Sequence, residues 1–172
     1  MLITSFVILA QTEISFGPKV GLNVANCTNS HMNARVGIHL GAFSNIRFND
    51  YIALQPEFLF SMQGCQKNNV INKYNYFNIP FMVKAYLYKG INIGLGPQLG
   101  FLVYPRVRYK EAKKKKDIDN MKTFDFSIGL DIGYETEIGF LIDARYNISA
   151  TKLSKHTHAK NSVFAIGIGW KF

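Results

Sequence analysis

Three histidines are the residues of this sequence best suited to catalysis or metal binding. His39 lies in a stretch of alternating apolar and polar residues, and His156 and His158 form the pair in "HTH". Catalysis needs a nucleophile or base with an orienting partner, and the only candidate to face His39 is Ser61, across a predicted hairpin. Two histidines without a third ligand make a weak metal site. We therefore predict no catalytic residue, no metal site and no cofactor, so the protein is not an enzyme.

Charged side chains are the second set that could do chemistry, and they fall on the same face of several predicted strands. The acids of this face are Glu57, Asp125, Asp131 and Asp143, and the bases are Lys19, Arg35, Arg47, Lys84, Arg145 and Lys171. Buried charges are tolerated when they pair and their remaining hydrogen bonds are made. We predict one polar network, in which Ser127 faces Arg145 and Asp125 lies diagonal to it.

Strands are the elements that must position these residues, since no window shows a convincing helical period. Eight windows alternate large apolar residues with small or polar ones. They are residues 16–26, 34–48, 52–62, 74–87, 91–103, 123–134, 138–150 and the final stretch "NSVFAIGIGWKF". Fourteen glycines and an aromatic content of 14% also favour strands over helices.

The predicted connections alternate between short and long. Residues 49–51, 88–90 and 135–137 are tight turns, and Gly90 suits the left-handed position of a three-residue loop. The other four connections, at about 27–33, 63–73, 104–122 and 151–161, are long and polar. Short turns at one rim and long loops at the other are typical of transmembrane barrels, and eight strands place both termini at the short-turn rim.

Side-chain bulk decides which face of the strands points inward. An eight-stranded barrel has an interior only just wide enough for side chains to fill, and about five large apolar residues per strand would not fit. The opposite face carries the charges and the glycines at 21, 37, 41, 94, 96, 100, 129, 133, 139, 167 and 169. We therefore expect the apolar face to point outward, towards lipid.

The predicted fold is all-β: a monomeric, eight-stranded, antiparallel, up-and-down transmembrane β-barrel with a lumen filled by polar side chains. Strands of this length cross a bilayer at the usual tilt, which needs ~9–11 residues. Outward aromatic residues near the short-turn rim fit an interfacial belt. They are Phe16, Phe48, Tyr134, Trp170 and Phe172.

Export is indicated by the first residues. "MLITSFVILA" resembles the end of a secretory signal peptide, so residues 1–10 are predicted to be a signal-peptide remnant and 11–172 the barrel domain. Two cysteines, Cys27 and Cys65, leave both a disulfide and two free thiols open.

The net charge is +9, and the densest run of lysines lies in "YKEAKKKKDID" at 109–119. Such a run is either a solvated loop or a surface for anionic partners such as lipopolysaccharide. The candidate anion-binding residues are Lys110, Lys113, Lys114, Lys115 and Lys116. Aromatic and basic residues do not interleave on one face, so nucleic acid is not expected as a partner.

Five stretches of the predicted strands are distinctive: "GPKVGLNVAN", "LQPEFLFSMQG", "YFNIPFMVKAYL", "GLGPQLGFLV" and "FAIGIGWKF". In this order and spacing they resemble the outer-membrane β-barrel domain family typical of Bacteroidota, the PorT-like "porin family" proteins. The resemblance covers about residues 16–172 and implies an eight-stranded barrel in the outer membrane. Gly167, Trp170 and Phe172 also resemble the C-terminal signal read by the outer-membrane insertion machinery, an expected partner during assembly.

The predicted location is the bacterial outer membrane, with both termini on the periplasmic side. The predicted role is surface interaction, adhesion or envelope support through the long loops, with outer-membrane lipid and lipopolysaccharide as partners. Two alternatives are a narrow porin and a secretion-associated, PorT-like barrel. A third is a soluble, lipocalin-like carrier of small molecules, which would place apolar residues inside and charges outside.

Overall fold

The computed structural model of the chain describes residues 12–28, 33–67, 70–109, 115–117, 123–152 and 160–172. Because the alternating pattern persists through these ranges, nearly all of them form strands. The strands are β1 (Glu13–Thr28), β2 (Asn33–Arg47), β3 (Ile52–Lys67), β4 (Val70–Tyr88), β5 (Ile91–Tyr109), β6 (Lys115–Asp117), β7 (Phe124–Glu135), β8 (Phe140–Lys152) and β9 (Lys160–Trp170). Over the same residues, no helix has the length and apolarity that a membrane-crossing helix needs.

Eight of these strands close into an antiparallel barrel, which confirms the predicted fold. Each long strand pairs with the next one along the chain, and β9 pairs with β1 to complete the cylinder. The three-residue β6 is an addition that the sequence pattern did not predict. It pairs with the far end of β5, outside the cylinder of eight strands.

The large apolar side chains point away from the barrel axis, as their bulk predicted. Ile142 and Ile168, on adjacent strands, are 42% and 43% exposed. Lys19 and Asp143, which are their neighbours on the other face, are buried. The five aromatic residues predicted for the belt are all exposed on the outer face.

The tight turns differ in detail from the prediction. Tyr88 pairs with Ile91, so the second turn has two residues, Lys89 and Gly90, rather than three. Both have positive φ, 43° for Lys89 and 88° for Gly90. This combination is the one a two-residue hairpin requires, and it confirms the left-handed conformation predicted for Gly90.

The β7–β8 turn is longer than predicted, and the register of the two strands changes with it. Gly139 lies in this turn at φ 91° rather than on the inner face of a strand. The Thr136 amide donates to the carbonyl of Phe140, closing the turn across residues 137–139. As a result Arg145 lies opposite Asp131, and Ser127 lies opposite Ser149. The predicted pairing of Ser127 with Arg145 is wrong.

Two of the predicted long loops, 63–73 and 104–122, contain several residues of strand. Residues 63–67 extend β3, 70–73 extend β4 and 104–109 extend β5. Both β4 and β5 have 19 residues, whereas a tilted strand needs ~9–11 to cross a bilayer. The surplus of roughly 8 residues per strand continues the sheet past the bilayer at the rim opposite the tight turns. We call this part of β3–β6 (63–67, 70–75, 104–109 and 115–117) the sheet extension.

Candidate functional site

The polar lumen is the candidate site, and the structure places the ten predicted charged residues along its length. Seven are buried: Lys19, Glu57, Lys84, Asp125, Asp131, Asp143 and Arg145. The other three, Arg35, Arg47 and Lys171, are partly buried nearer the two ends of the barrel. Because alternate residues of a strand face the same side, consecutive inward residues bring these groups into successive layers.

Glu57 is the centre of the middle layer. Its Oε1 lies 2.7 Å from Nη2 of Arg145 and 3.2 Å from Nζ of Lys19, and its Oε2 accepts from Nη1 of Arg145 at 2.9 Å. Nε2 of Gln55 donates to the same Oε1 at 2.7 Å. A fully buried carboxylate with a bidentate arginine and a second cation is held in one geometry by charge-assisted bonds.

Two further carboxylates complete this layer, and the charges balance. Arg145 Nη2 lies 2.9 Å from Oδ2 of Asp131, and Lys19 Nζ lies 2.5 Å from Oδ2 of Asp143. Lys84, buried on β4, lies in the same inter-strand row as Asp131. Three cations therefore face three anions, and we call these six residues the central network. An uncompensated buried charge would be costly, whereas this set is neutral.

Glycines on the inner face give the central network its space. Gly94 lies between Lys84 on β4 and Asp131 on β7, and a Cβ there would collide with Oδ1 of Asp131. At Gly167 a Cβ would lie 2.8 Å from Cε of Lys19 and 3.1 Å from Oδ1 of Asp143. The bare face predicted from the sequence thus lets charged side chains cross neighbouring strands and meet at the axis.

On the side of the sheet extension, neutral polar groups continue the packing. Nδ1 of His39 lies 2.7 Å from Oδ1 of Asn23, and Nδ2 of Asn23 donates to Oγ of Ser61 at 2.8 Å. His39 lies opposite Ser61 in the β2–β3 register, as predicted. Nε2 of Gln63 also donates to Oγ of Ser61, at 3.0 Å. Because Asn23 lies between His39 and Ser61, the arrangement is a packed polar cluster, without the direct bond between nucleophile and base that catalysis needs.

Asp125 is buried in another layer of the lumen, where its described partners are neutral hydroxyl groups rather than cations. It accepts hydrogen bonds from the hydroxyl groups of Ser149 and Thr151. The carbonyl of Thr151, 2.9 Å from Oγ of Ser149, is an alternative acceptor for the single Ser149 hydroxyl proton. The described partners of Asp125 are therefore neutral hydroxyl donors, and both contact its Oδ1.

The tight-turn end has a charged cluster whose acid was not predicted. Glu135 was assigned to a turn, but it is the last residue of β7 and is buried. It pairs with Lys171 and accepts from the hydroxyl of Tyr86 at 2.7 Å. The guanidinium of Arg47 lies 4.0 Å from the centre of the Tyr86 ring. This cluster borders an open basin of ≈ 850 Å³ at the rim.

Beside the central network, the free space between the described side chains is small. A cavity of ≈ 20 Å³ lies beside the central network, and its lining includes Lys19, His39 and Asn147. A cavity needs ~10–15 Å³ to hold one water molecule. The cavity has room for about one water, which is consistent with a lumen filled by side chains.

Several predicted residues lie wholly or partly outside the described part of the chain. Residues 1–10, Lys110, Lys113, Lys114 and the histidines at 156 and 158 are among the residues not described. Lys115 and Lys116 lie in β6, where the backbone alone is described. Of the terminal signal, Gly167 faces the lumen and Trp170 lies on the outer face. The amide of Phe172 donates to the carbonyl of Phe16 at 2.9 Å.

The sequence left open whether the two cysteines are free or disulfide-bonded, and the structure answers this at Cys65. Its side chain is buried and disulfide-bonded, and the sequence contains two cysteines. Disulfides persist in oxidising compartments such as the bacterial periplasm and cell surfaces. This bond agrees with export.

The outward apolar surface, the closed cylinder and the charged lumen together define an outer-membrane β-barrel protein. The match to a family model agrees: the chain belongs to the outer membrane protein β-barrel domain family, whose model matches residues 9–155. Its location is therefore the bacterial outer membrane. No curated protein shows significant sequence similarity to this chain.

Two solved structures show the same fold. Ail, the attachment invasion locus protein of Yersinia pestis, crystallised with the heparin analogue sucrose octasulfate, is 15% identical with a TM-score of 0.56. The match covers 93% of this chain and 99% of Ail. Neisserial surface protein A is also 15% identical, with a TM-score of 0.55 over 92% of this chain and 97% of that one.

The alternative of a lipocalin-like carrier is wrong. Such a carrier needs an apolar interior, but the lumen here holds Glu57, Asp131 and Arg145, while Leu130 and Ile132 are exposed outside. Membership of the outer membrane protein β-barrel domain family also argues against a soluble carrier.

Proposed function

We propose that this protein is a non-catalytic surface-interaction protein, closed to solutes, that presents its sheet extension and neighbouring loops to anionic partners outside the cell. The observation that carries this proposal is the sheet extension itself, where β4 and β5 continue well past the length a bilayer requires. A rigid barrel with an elongated, polar rim is a common arrangement for binding surfaces.

The orientation follows from the two rims. Tight turns join β2 to β3, β4 to β5 and β7 to β8, and the start of β1 and the end of β9 lie at the same rim. In bacterial barrels short turns face the periplasm and longer segments face outward. We therefore propose periplasmic termini, which places the sheet extension at the cell surface.

Charge identifies the class of partner. Residues 104–122 carry eight lysines and arginines against three acids, with four consecutive lysines at 113–116. Such a segment attracts sulfate, phosphate and carboxylate groups. Ail was crystallised with sucrose octasulfate; the likeness to Ail is one of fold, so its ligand serves here as a probe of the proposal.

The lysine run supplies the direct test. We expect the variant with Lys113–Lys116 all changed to serine to bind soluble sucrose octasulfate at least tenfold more weakly in low salt, because exposed charges act through a screened Coulomb field. Isothermal titration of the detergent-solubilised, folded protein measures this. Lys89→Ser, at the opposite rim, is the control and should bind normally. Equal binding by all three proteins would contradict the proposal.

The alternative of a narrow porin has its own test. The ≈ 20 Å³ cavity beside the central network favours a barrel that does not conduct. Purified protein in planar lipid bilayers should therefore give no steady current steps at 100 mV, with a wide porin in the same set-up as the positive control. Regular ohmic steps would show that the lumen opens. A secretion-associated, PorT-like role remains a prediction of the resemblance.

A further inference from the structure

The backbone register of the sheet extension gathers cationic residues on one face. Lys73 pairs with Arg106, and Arg106 pairs with Asp117. In the next row of the same face, Arg108 lies opposite Lys115. Directly opposed residues of antiparallel strands share a face. Lys73, Arg106, Arg108 and Lys115 therefore share one face with a single acid of these rows, Asp117, and we call the four cationic residues the cationic face.

A β-bulge determines which face this is. One step along β4, from Asn75 to Tyr76, corresponds to two steps along β5, from Tyr104 to Leu102. The extra residue is Val103. Without it, the even-numbered residues of β5 beyond Leu102 would share the inner face with Gly100. A bulge re-aims the residues that follow it, so Arg106 and Arg108 belong to the outer face.

The outer face of the extension is continuous with the surface that meets lipid. The two-residue period of β4 puts Lys73 on the same face as Phe77 and Phe81, and Phe81 is 39% exposed. Phe77 pairs with Phe101 of β5, which is also exposed. The cationic face thus lies directly beyond the apolar stripe of the same two strands.

The height of the cationic face matches the headgroups. Lys73 is four residues from Phe77, about 13 Å along the strand at the usual rise and roughly 9 Å along the membrane normal at a 45° tilt. The polar layer of a bilayer extends ~5–8 Å beyond each side of its hydrocarbon core. Lys73 and Arg106 are therefore level with the polar layer or just above it, and the row of Arg108 and Lys115 lies roughly 5 Å further out on the same face.

We propose that the cationic face binds the phosphate groups of lipopolysaccharide in the protein's own leaflet, an assignment that rests on the orientation given under the proposed function. Arginine and lysine are the side chains that recognise phosphate. The outward direction and the depth favour a lipid of the same membrane over a soluble polyanion, which would approach from above.

A triple variant tests the proposal: Lys73→Ser, Arg106→Ser and Arg108→Ser combined. Native mass spectrometry or gel mobility of the detergent-solubilised protein measures its affinity for purified lipopolysaccharide. Each cation near a phosphate surface contributes about 1 kcal/mol, on the order of fivefold in affinity. We expect the triple variant to bind on the order of 100-fold more weakly, and wild type to lose the same affinity for enzymatically dephosphorylated lipopolysaccharide.

β6 provides a matched pair of single variants. Lys115 is on the cationic face, whereas the adjacent Lys116 pairs with Val107 on the other face. Lys115→Ser should weaken lipopolysaccharide binding about fivefold, and Lys116→Ser should leave it unchanged. Heat-modifiable gel migration confirms that each variant is folded.

The outcomes separate this inference from the proposed function. If Lys115→Ser and Lys116→Ser weaken binding equally, or if phosphate removal has no effect, the cationic face is not the site. The proposed function would still stand if sucrose octasulfate binding depends on the lysine run. If the triple variant loses sucrose octasulfate binding but keeps lipopolysaccharide binding, the inference is wrong and the face serves soluble partners.

Discussion

Replacing Glu57 with alanine should lower the free energy of unfolding by about 3–5 kcal/mol, because it leaves two buried cations without their shared partner. Glu57 is the only carboxylate of the central network in contact with both Lys19 and Arg145, at 3.2 and 2.7 Å. Without it, three cations face two anions in a space that has room for about one water. Urea unfolding in lipid vesicles, followed by the fluorescence of the single tryptophan, Trp170, measures the change.

Asp125→Ala is the control for this prediction. Asp125 is also a buried, inward carboxylate, but its described partners are the hydroxyl groups of Ser149 and Thr151. Losing neutral hydrogen bonds costs about 1–3 kcal/mol, and the two hydroxyls lie 3.2 Å apart, close enough to bond each other. If Glu57→Ala costs no more than Asp125→Ala, charge balance does not stabilise the lumen.

A compensating variant separates charge from packing. Glu57→Ala combined with Arg145→Met removes one anion and one cation, so the network is again neutral. We expect the double variant to be more stable than Glu57→Ala, because replacing a buried ion pair by apolar side chains is often close to neutral. A further loss on adding Arg145→Met would mean that Arg145 contributes mainly through its contact with Asp131.

The faces of the strands could be predicted from the sequence because they depend on bulk and period alone. Phe, Ile and Leu at every second position leave one solution in a narrow cylinder. Ile142 and Ile168 accordingly point outward, and Lys19 and Asp143 point inward. The same argument placed seven charged residues in the lumen without any knowledge of their partners.

Partners across the lumen could not be predicted, because they depend on register and closure. A change in one turn moved Arg145 from Ser127 to Asp131. The same turn explains why Glu135 was not predicted as a lumen residue. Its position in "ETE" is typical of a hairpin turn. In the structure it is the last residue of β7 and pairs with Lys171. Register is set by turn geometry, and here Gly139 at φ 91° sets it.

The sheet extension escaped prediction for a different reason. Alternation identifies a strand when one face is apolar and the other is not. Residues 63–75, "QGCQKNNVINKYN", are polar on both faces because both lie beyond the hydrocarbon layer, so they have the composition of a loop. The Val103 bulge carries no sequence signal that we can identify, yet it decides which face Arg106 and Arg108 share.

Leu130→Arg should lower the free energy of unfolding by about 2–4 kcal/mol, the cost of an arginine at the midplane of a transmembrane barrel. Leu130 is in the middle of β7, is 60% exposed and pairs with Leu95 and Tyr146, both on the outer face. In a water-soluble protein the same exposed leucine would accept arginine at a cost within about 0.5 kcal/mol. The urea titration in vesicles used for Glu57 measures the difference.

Ile138→Arg is the matched control for Leu130→Arg, because Ile138 is 72% exposed but lies in the β7–β8 turn at the rim. There the cost should fall to about 0–1 kcal/mol. Equal costs at the two positions would mean that the outer face meets water at mid-height. The neutral central network would then no longer be the polar interior of a membrane protein, and the cationic face would have no headgroups beside it. A large cost at Leu130 with a small cost at Ile138 would instead show that the outer face meets hydrocarbon at mid-height, which the lipopolysaccharide site requires.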